Sequence, residues 1–472
     1  MAQMTVPKFY LQPHIIPSDN PFMDAVNSIG SLTVNYTSQV SKSDKSLAKK
    51  LIRITTVPMA LRYLLPGQMK FMQEKGFDVL MISADGKELE EVIENEKCPH
   101  LIVPMTRKIT PIQDLKCLFQ LIKIFRREKP DIVHSHTPKA GLLGMIAAKI
   151  CGVKIRVHTV AGLPMMVEKG LKFELLKWIE KITYACANHV WPNSESLLHY
   201  INKNKLSKPQ KLNIIAKGST NGINTEKFSS EKIDQQKLTV IKEQIRYSNN
   251  NSYLLCMGRL VKDKGIVELV NVFTSLQSIT PSLKLILVGD FEESLDPLPE
   301  ETINVIKNNS SIIHIKWTND VEYYMHLADT FIFPSHREGF PNVLLQAGAM
   351  HLPIICSRIA GNIDIVKNNE TGLLFDQGNE QEMKSLIMQA VKQKEKMKIM
   401  ACRLKEIIYS EYQRNYIWDK ILQQYTIIDL PSQSTYLPFR LLISRVSNLW
   451  KLSMAAIEES IYVSPTRRLA EK

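Results

Sequence analysis

What constrains this chain most is a texture that runs through it twice. From Leu51 onward, short apolar runs (LIRITT, FDVLMIS, LIVPM, DIVHSH, KIRVHT and HVWPNS) alternate with stretches whose apolar residues recur at helical spacing, such as ITPIQDLKCLFQLIKIFRREK. The alternation pauses around KGSTNGINTEKFSS and an Asn-rich stretch ending at Asn251. It then restarts as YLLCMGRL, LKLILVGD, SIIHIKW, TFIFPS, PIICS and TGLLF. Strand–helix alternation of this kind builds a parallel sheet wrapped by helices. Two rounds of it predict an α/β protein of two doubly wound domains, over residues 51–225 and 226–410, and 472 residues suit two such cores. Open parallel sheets bind ligands beyond the carboxyl ends of their strands, so two facing sheets predict a site in the cleft between them.

The flanks read differently. Residues 1–50, rich in Ser and Asn without a sustained period, predict a partly disordered arm. Residues 411–430 predict a helix packing back toward the N-terminal domain. In the tail, residues 431–472, Phe439, Leu442, Ile443, Val446, Leu449, Trp450 and Ile457 fall on one helical face and predict an amphipathic segment.

Charge narrows the partners. A formal net charge of +13 points to an anionic one: nucleic acid, an anionic membrane face or a phosphorylated substrate. Aromatic content of 7 % and no recognition motif argue against nucleic acid. The seven cysteines form no CxxC pair, which predicts a reduced cytoplasmic compartment and no structural zinc. The N-terminus MAQMTVPKFY lacks the basic and apolar regions of a signal peptide, and AGLLGMIAAKICGV is too short to span a bilayer, so membrane contact is expected to be peripheral. Residues 107–129 carry seven basic residues against two acids, interleaved with Ile, Leu and Phe. A solvated helix face and a membrane-surface face both fit that segment.

Three stretches carry chemistry. In MGRLVKDKGIVELV a strand ends at Met257, and Arg259 and Lys264 follow before a helix, which suits a diphosphate. In SHREGFPNVLLQAGAM, Glu338 precedes a helix opened near Pro341, and Gln346 lies further along it; the plainer readings are a capping acid and a surface amide. In DIVHSHTPKAGLLG, His134 and His136 stand at a strand end, and His158 ends the next strand, KIRVHT. No carboxylate or Cys sits at ligand spacing beside these histidines, so no metal is predicted.

Together GRLVKDKG, LILVGD, FPSHREGFPNVLLQAGA, the GIN-x-EKF junction and the VHT strand end resemble the family 4 retaining glycosyltransferases, from about Leu51 to Tyr425. TTVPMALRYLLPGQ, VPMTRKITPIQDL and HSHTPKAGLLG with HTVAGLP look like the bacterial capsule and O-antigen members. The resemblance implies the GT-B fold, two Rossmann-like domains facing across a cleft, with the acceptor in the first and the nucleotide sugar in the second. It implies transfer of a hexose or N-acetylhexosamine from a UDP-sugar to a polyprenyl-diphosphate-linked saccharide, without cofactor or metal, on the cytoplasmic face of the inner membrane. Arg259 and Lys264 would hold the diphosphate, Glu338 the sugar hydroxyls, and His158 the sugar's far edge. Gly258, Gly339, Phe340, Pro341, Asn342 and Gln346 would complete the donor site, with the Gly67 loop closing over it. Arg107, His136 and Lys139 would meet the acceptor. The family's usual second acid, eight residues after Glu338, is here Gln346, whose amide oxygen can accept one ribose hydroxyl bond. Non-hydrolysing UDP-sugar 2-epimerases share the two-domain architecture and are the rival reading.

Overall fold

The computed structural model describes residues 48–292 and 296–429; most of the arm (residues 1–47) and the amphipathic tail with Trp450 lie outside them. The first sheet contains β1 (Lys50–Ile54), β2 (Asp78–Ser83), β3 (His100–Ile102), β4 (Ile132–His136), β5 (Ile155–Val160) and β6 (His189–Pro192). The second contains β7 (Ser252–Met257), β8 (Leu283–Val288), β9 (Ile312–Ile315), β10 (Thr330–Phe333), β11 (Ile354–Ser357) and β12 (Leu373–Phe375). The strand orders are β3-β2-β1-β4-β5-β6 and β12-β11-β10-β7-β8-β9, and every pairing is parallel. Both follow one doubly wound pattern, whose order reverses between β1 and β4 and again between β7 and β10. The expected two-domain α/β architecture is therefore present.

Sheets covered on both faces favour strands that are apolar almost throughout. Leu51, Ile52 and Ile54 of β1 are fully buried, and so are Leu255 and Leu285 of the second sheet. Lys50, placed in the arm by its sequence, is the first residue of β1 and pairs with Asp78 of β2.

The chain crosses between the domains twice, and the two crossings are tied together. Ile223 N–H donates to Tyr412 O at 2.8 Å on the way out, and Arg414 N–H donates to Ile223 O at 2.9 Å on the return. The returning chain forms the helix Arg414–Ile428. Its Ile417, Ile421 and Tyr425 complete one face of the first sheet, packing with Leu51, Val79, Ile155 and Trp191. Trp418 Nε1 donates to Asn221 Oδ1 at 2.6 Å, and the Tyr425 hydroxyl lies 2.5 Å from His134 Nδ1.

Candidate functional site

A cleft of about 280 Å³ opens where the carboxyl ends of the two sheets face each other. The N-terminal domain supplies the end of β5 and the loop after it, from His158 to Pro164, the start of the helix Pro138–Ile150, and Glu180. The C-terminal domain supplies Arg259, Asp263, Lys264, Arg337, Glu338 and Gly339. These come from the turns after β7 and β10, at that sheet's switch point, where doubly wound folds place ligands.

Local backbone explains how the cations reach the cleft. The turn after β7 ends at Gly265 with φ +68°, and a Cβ there would lie 2.2 Å from Pro334 O, so only glycine lets this turn pack under the one after β10. The packing brings Lys264 Nζ to 2.5 Å from Glu338 Oε1, which also accepts from Ser335 Oγ at 2.8 Å. Arg259 Nη1 lies 2.5 Å from Glu292, and Arg337 Nη2 donates to Asp263 at 2.9 Å. His336 approaches Glu268 at 2.9 Å, and that carboxylate raises the imidazole's pKa. An incoming anion would exchange these carboxylate partners for its own oxygens. The Arg259 pair is half exposed, and pairs of that kind hold weakly.

The facing wall is set by strand register. Ser135 of β4 pairs with His158 of β5, so both side chains stand on one face, and Ser135 Oγ lies 2.9 Å from His158 Nδ1. Burial pushes His158 down to about 4, so its imidazole is neutral at pH 7. His134 and His136 fall on the opposite face. They stack on each other there, and Arg53 Nη1 reaches both, at 2.9 and 2.8 Å. The three histidines thus cannot share one metal ion. Among the described residues no three of His, Cys, Asp and Glu gather as metal ligands would.

Of the residues singled out from sequence, His158, Arg259, Lys264, Glu338 and Gly339 line the cleft together. Gly258, Phe340, Pro341, Asn342 and Gln346 belong to the same turns and the helix Asn342–Ala349 but do not line it. Pro341 is that helix's N-cap, and the Phe340 ring is buried 5.7 Å from Tyr412. Four others stand elsewhere. Gly67 packs against Trp418, and its N–H, with those of Met69 and Lys70, is satisfied by the Glu96 carboxylate at 2.5, 3.1 and 3.1 Å, so this helix start offers those amides to no ligand. Lys139 is tied to Asp114 at 2.7 Å and to Thr106 and Thr110. His136 is buried beside Arg53, and Arg107 lies on the surface by Met59. Sequence reasoning missed Asp263, Glu292, Ser335 and Glu180. Asp263 and Ser335 stand inside quoted motifs and Glu292 just after LILVGD, but nothing in the local pattern marks Glu180.

Two family models match the chain: "Glycosyl transferase 4-like" over residues 54–194 and "Glycosyl transferases group 1" over residues 239–406. The capsular polysaccharide biosynthesis glycosyltransferase CapM of Staphylococcus aureus is 35% identical over 377 residues, covering 80% of this chain and 97% of the relative. The UDP-Gal:alpha-D-GlcNAc-diphosphoundecaprenol alpha-1,3-galactosyltransferase of Escherichia coli is 29% identical over 313 residues, covering 66% of this chain and 79% of the relative. Among solved structures, a glycosyltransferase of Rickettsia africae superposes with a TM-score of 0.68 at 19% identity, covering 82% of this chain and all of that one, a likeness of fold. With a cation-lined cleft between two doubly wound domains and this relationship to CapM, the chain belongs to the family 4 glycosyltransferases of GT-B fold, whose C-terminal half is the group 1 domain.

Proposed function

We propose that the protein moves a hexose or N-acetylhexosamine, with retention, from a UDP-sugar to a polyprenyl-diphosphate-linked saccharide in surface polysaccharide biosynthesis. The observation that carries the reading is the Lys264–Glu338 pair beside Arg259, facing neutral His158 across the cleft. Cations there match a diphosphate, and the acid beside them matches sugar hydroxyls. The names of the Staphylococcus aureus and Escherichia coli relatives, one a capsule enzyme and the other using UDP-Gal and a diphosphoundecaprenol acceptor, support the class of pathway, donor and acceptor.

In this reading the bond from the sugar C1 to the phosphate oxygen breaks with its electron pair passing to the diphosphate. Arg259 and Lys264 stabilise that charge where it develops. The acceptor oxygen bonds C1 on the same face, and its proton goes to the departing phosphate oxygen. Neutral His158 borders the sugar without adding charge. Incubating the protein with UDP-sugars, with and without a lipid-linked acceptor and in the presence of EDTA, tests this. The expected result is a retained glycoside formed only with acceptor and unaffected by EDTA. Isomerised UDP-sugar formed without acceptor would favour the epimerase.

Gln346 is half-buried on the donor helix. Gln346→Glu is expected to keep transfer and lower the donor KM, because a carboxylate accepts from both ribose hydroxyls with stronger, charge-assisted bonds. A large rise in KM would show the position to be built around the amide.

The acceptor's lipid keeps the enzyme at a bilayer. The helix Pro111–Glu128 buries Cys117, Leu121, Ile124 and Phe125 but leaves Ile112, Leu115 and Phe119 exposed, Ile112 by 76 % and Phe119 by 63 %, with Ile109 just before them. Arg107, Lys108, Lys116 and Lys123 flank this row. Among the described residues no helix is long and apolar enough to cross a membrane. The helix therefore lies on an anionic leaflet, with its cations contributing about 1 kcal/mol each and the apolar row inserting. Flotation with anionic vesicles should show binding that weakens but persists at high salt and falls sharply for an Ile112→Asp, Phe119→Asp double variant. No co-flotation of the wild type at low salt would sink the idea.

A further inference from the structure

Among the acids lining the cleft, Glu180 is the one with neither a cationic partner nor a part in the proposed transfer. Glu180, on the helix Gly170–Cys186, is only 5 % exposed yet forms part of the cleft wall on the His158 side. A carboxyl buried this deeply is normally paired with a cation or firmly hydrogen-bonded. Among the described residues only the Tyr184 hydroxyl, one turn along the helix, offsets its burial. That hydroxyl is itself buried and makes no well-formed hydrogen bond. An apolar residue would fill the position at less cost, so packing gives no reason for an acid here.

The other ionisable groups of the cleft leave Glu180 free for a ligand. His158 on β5 is neutral, and the facing cations are engaged by their own acids: Arg259 by Glu292, Lys264 by Glu338 and Arg337 by Asp263. The remaining bordering elements contribute Thr137, Pro138 and Pro164, none of which titrates.

We propose that Glu180 is a sugar-contacting residue, its carboxylate accepting hydrogen bonds from hydroxyl groups of the donor's hexose at the N-terminal wall of the cleft; this rests on the nucleotide-sugar reading above. An acid on this wall repels the diphosphate toward the cations opposite. A neutral polyol is the part of the donor that can span from one wall to the other. Burial pushes the Glu180 carboxyl up to about 7. Hydroxyl donors bind the ionised form better, so sugar binding draws that pKa down, and affinity for the sugar nucleotide rises as pH passes upward through 7. UDP alone does not reach the acid and lacks this dependence.

Calorimetric titration with UDP, UDP-glucose, UDP-galactose and UDP-N-acetylglucosamine at pH 6 and pH 8 tests the assignment in the wild type, Glu180→Gln and Glu180→Asp. For the best-bound sugar nucleotide, Glu180→Gln should lose about tenfold or more in affinity, as expected for a bond to a charged group, and should lose the rise between the two pH values. Glu180→Asp should keep the pH dependence, and UDP affinity should be the same in all three proteins. Unchanged sugar-nucleotide affinity and pH dependence in Glu180→Gln would overturn the proposal. Equal loss of UDP affinity or of folded protein would overturn it too, since the acid would then be structural. Failure of the wild type to bind UDP would refute the donor reading instead, and this proposal with it.

Discussion

Lys264→Ala should lower kcat/KM for sugar transfer by about 10²–10³-fold, the loss typical of one preorganised electrostatic donor. Lys264 is the least exposed of the cleft's cations and is paired with Glu338, so in the proposed transfer its removal takes charge from the departing diphosphate and orientation from Glu338. Arg259→Ala should cost a comparable factor, because the guanidinium gives the phosphate a second, planar donor set. Neither side chain belongs to a core cluster. Both variants should therefore melt within a few degrees of wild type, as substitutions outside a core usually do. Steady-state kinetics beside thermal melts check this, and near wild-type turnover in either variant would remove that residue from the site.

Gly339→Ala is expected to be equally damaging for a different reason. A Cβ at Gly339 would lie 1.8 Å from Ala161 O, and Gly162 follows at 2.9 Å. The obstacle belongs to the other domain. Each domain of the variant should fold as before, with melting temperature little changed, while the two walls are held apart. A displacement of about 1 Å at a reacting centre costs about 10²-fold, and kcat/KM should fall by at least that. Wild-type kinetics in this variant would mean that the approach of the two loops is unimportant for transfer.

The fold was legible because its signal is local. Runs such as LKLILVGD and TFIFPS are almost wholly apolar in their strand portions because each strand is covered on both faces, and that shows in a handful of consecutive residues. Arg259, Lys264 and Glu338 were legible for the same reason, each following the end of such a run by a few positions. The remainder depended on distance along the chain. Only the register Ser135↔His158 separates His158 from His134 and His136. Asp114 claims Lys139 across 25 positions, Glu96 occupies the Gly67 amide across 29, and Tyr425 meets His134 across 291. Side chains with several possible partners are assigned by packing, and packing between distant segments leaves no local pattern. Glu180 is the extreme case: in sequence it is one charge on a helix, and its burial appears only once that helix packs into the folded N-terminal domain.

The returning helix also sets an order of events during synthesis. The first sheet has all its strands once Pro192 has emerged, yet one of its faces waits for Ile417, Ile421 and Tyr425. Ribosomes add about 5–20 residues per second, so the nascent N-terminal half spends at least ten seconds with apolar residues such as Leu51 and Val79 lacking their final cover. During that interval it is a candidate for chaperone capture. A chain released before Arg414 would keep that surface open permanently and should aggregate, although every strand of both sheets is already made.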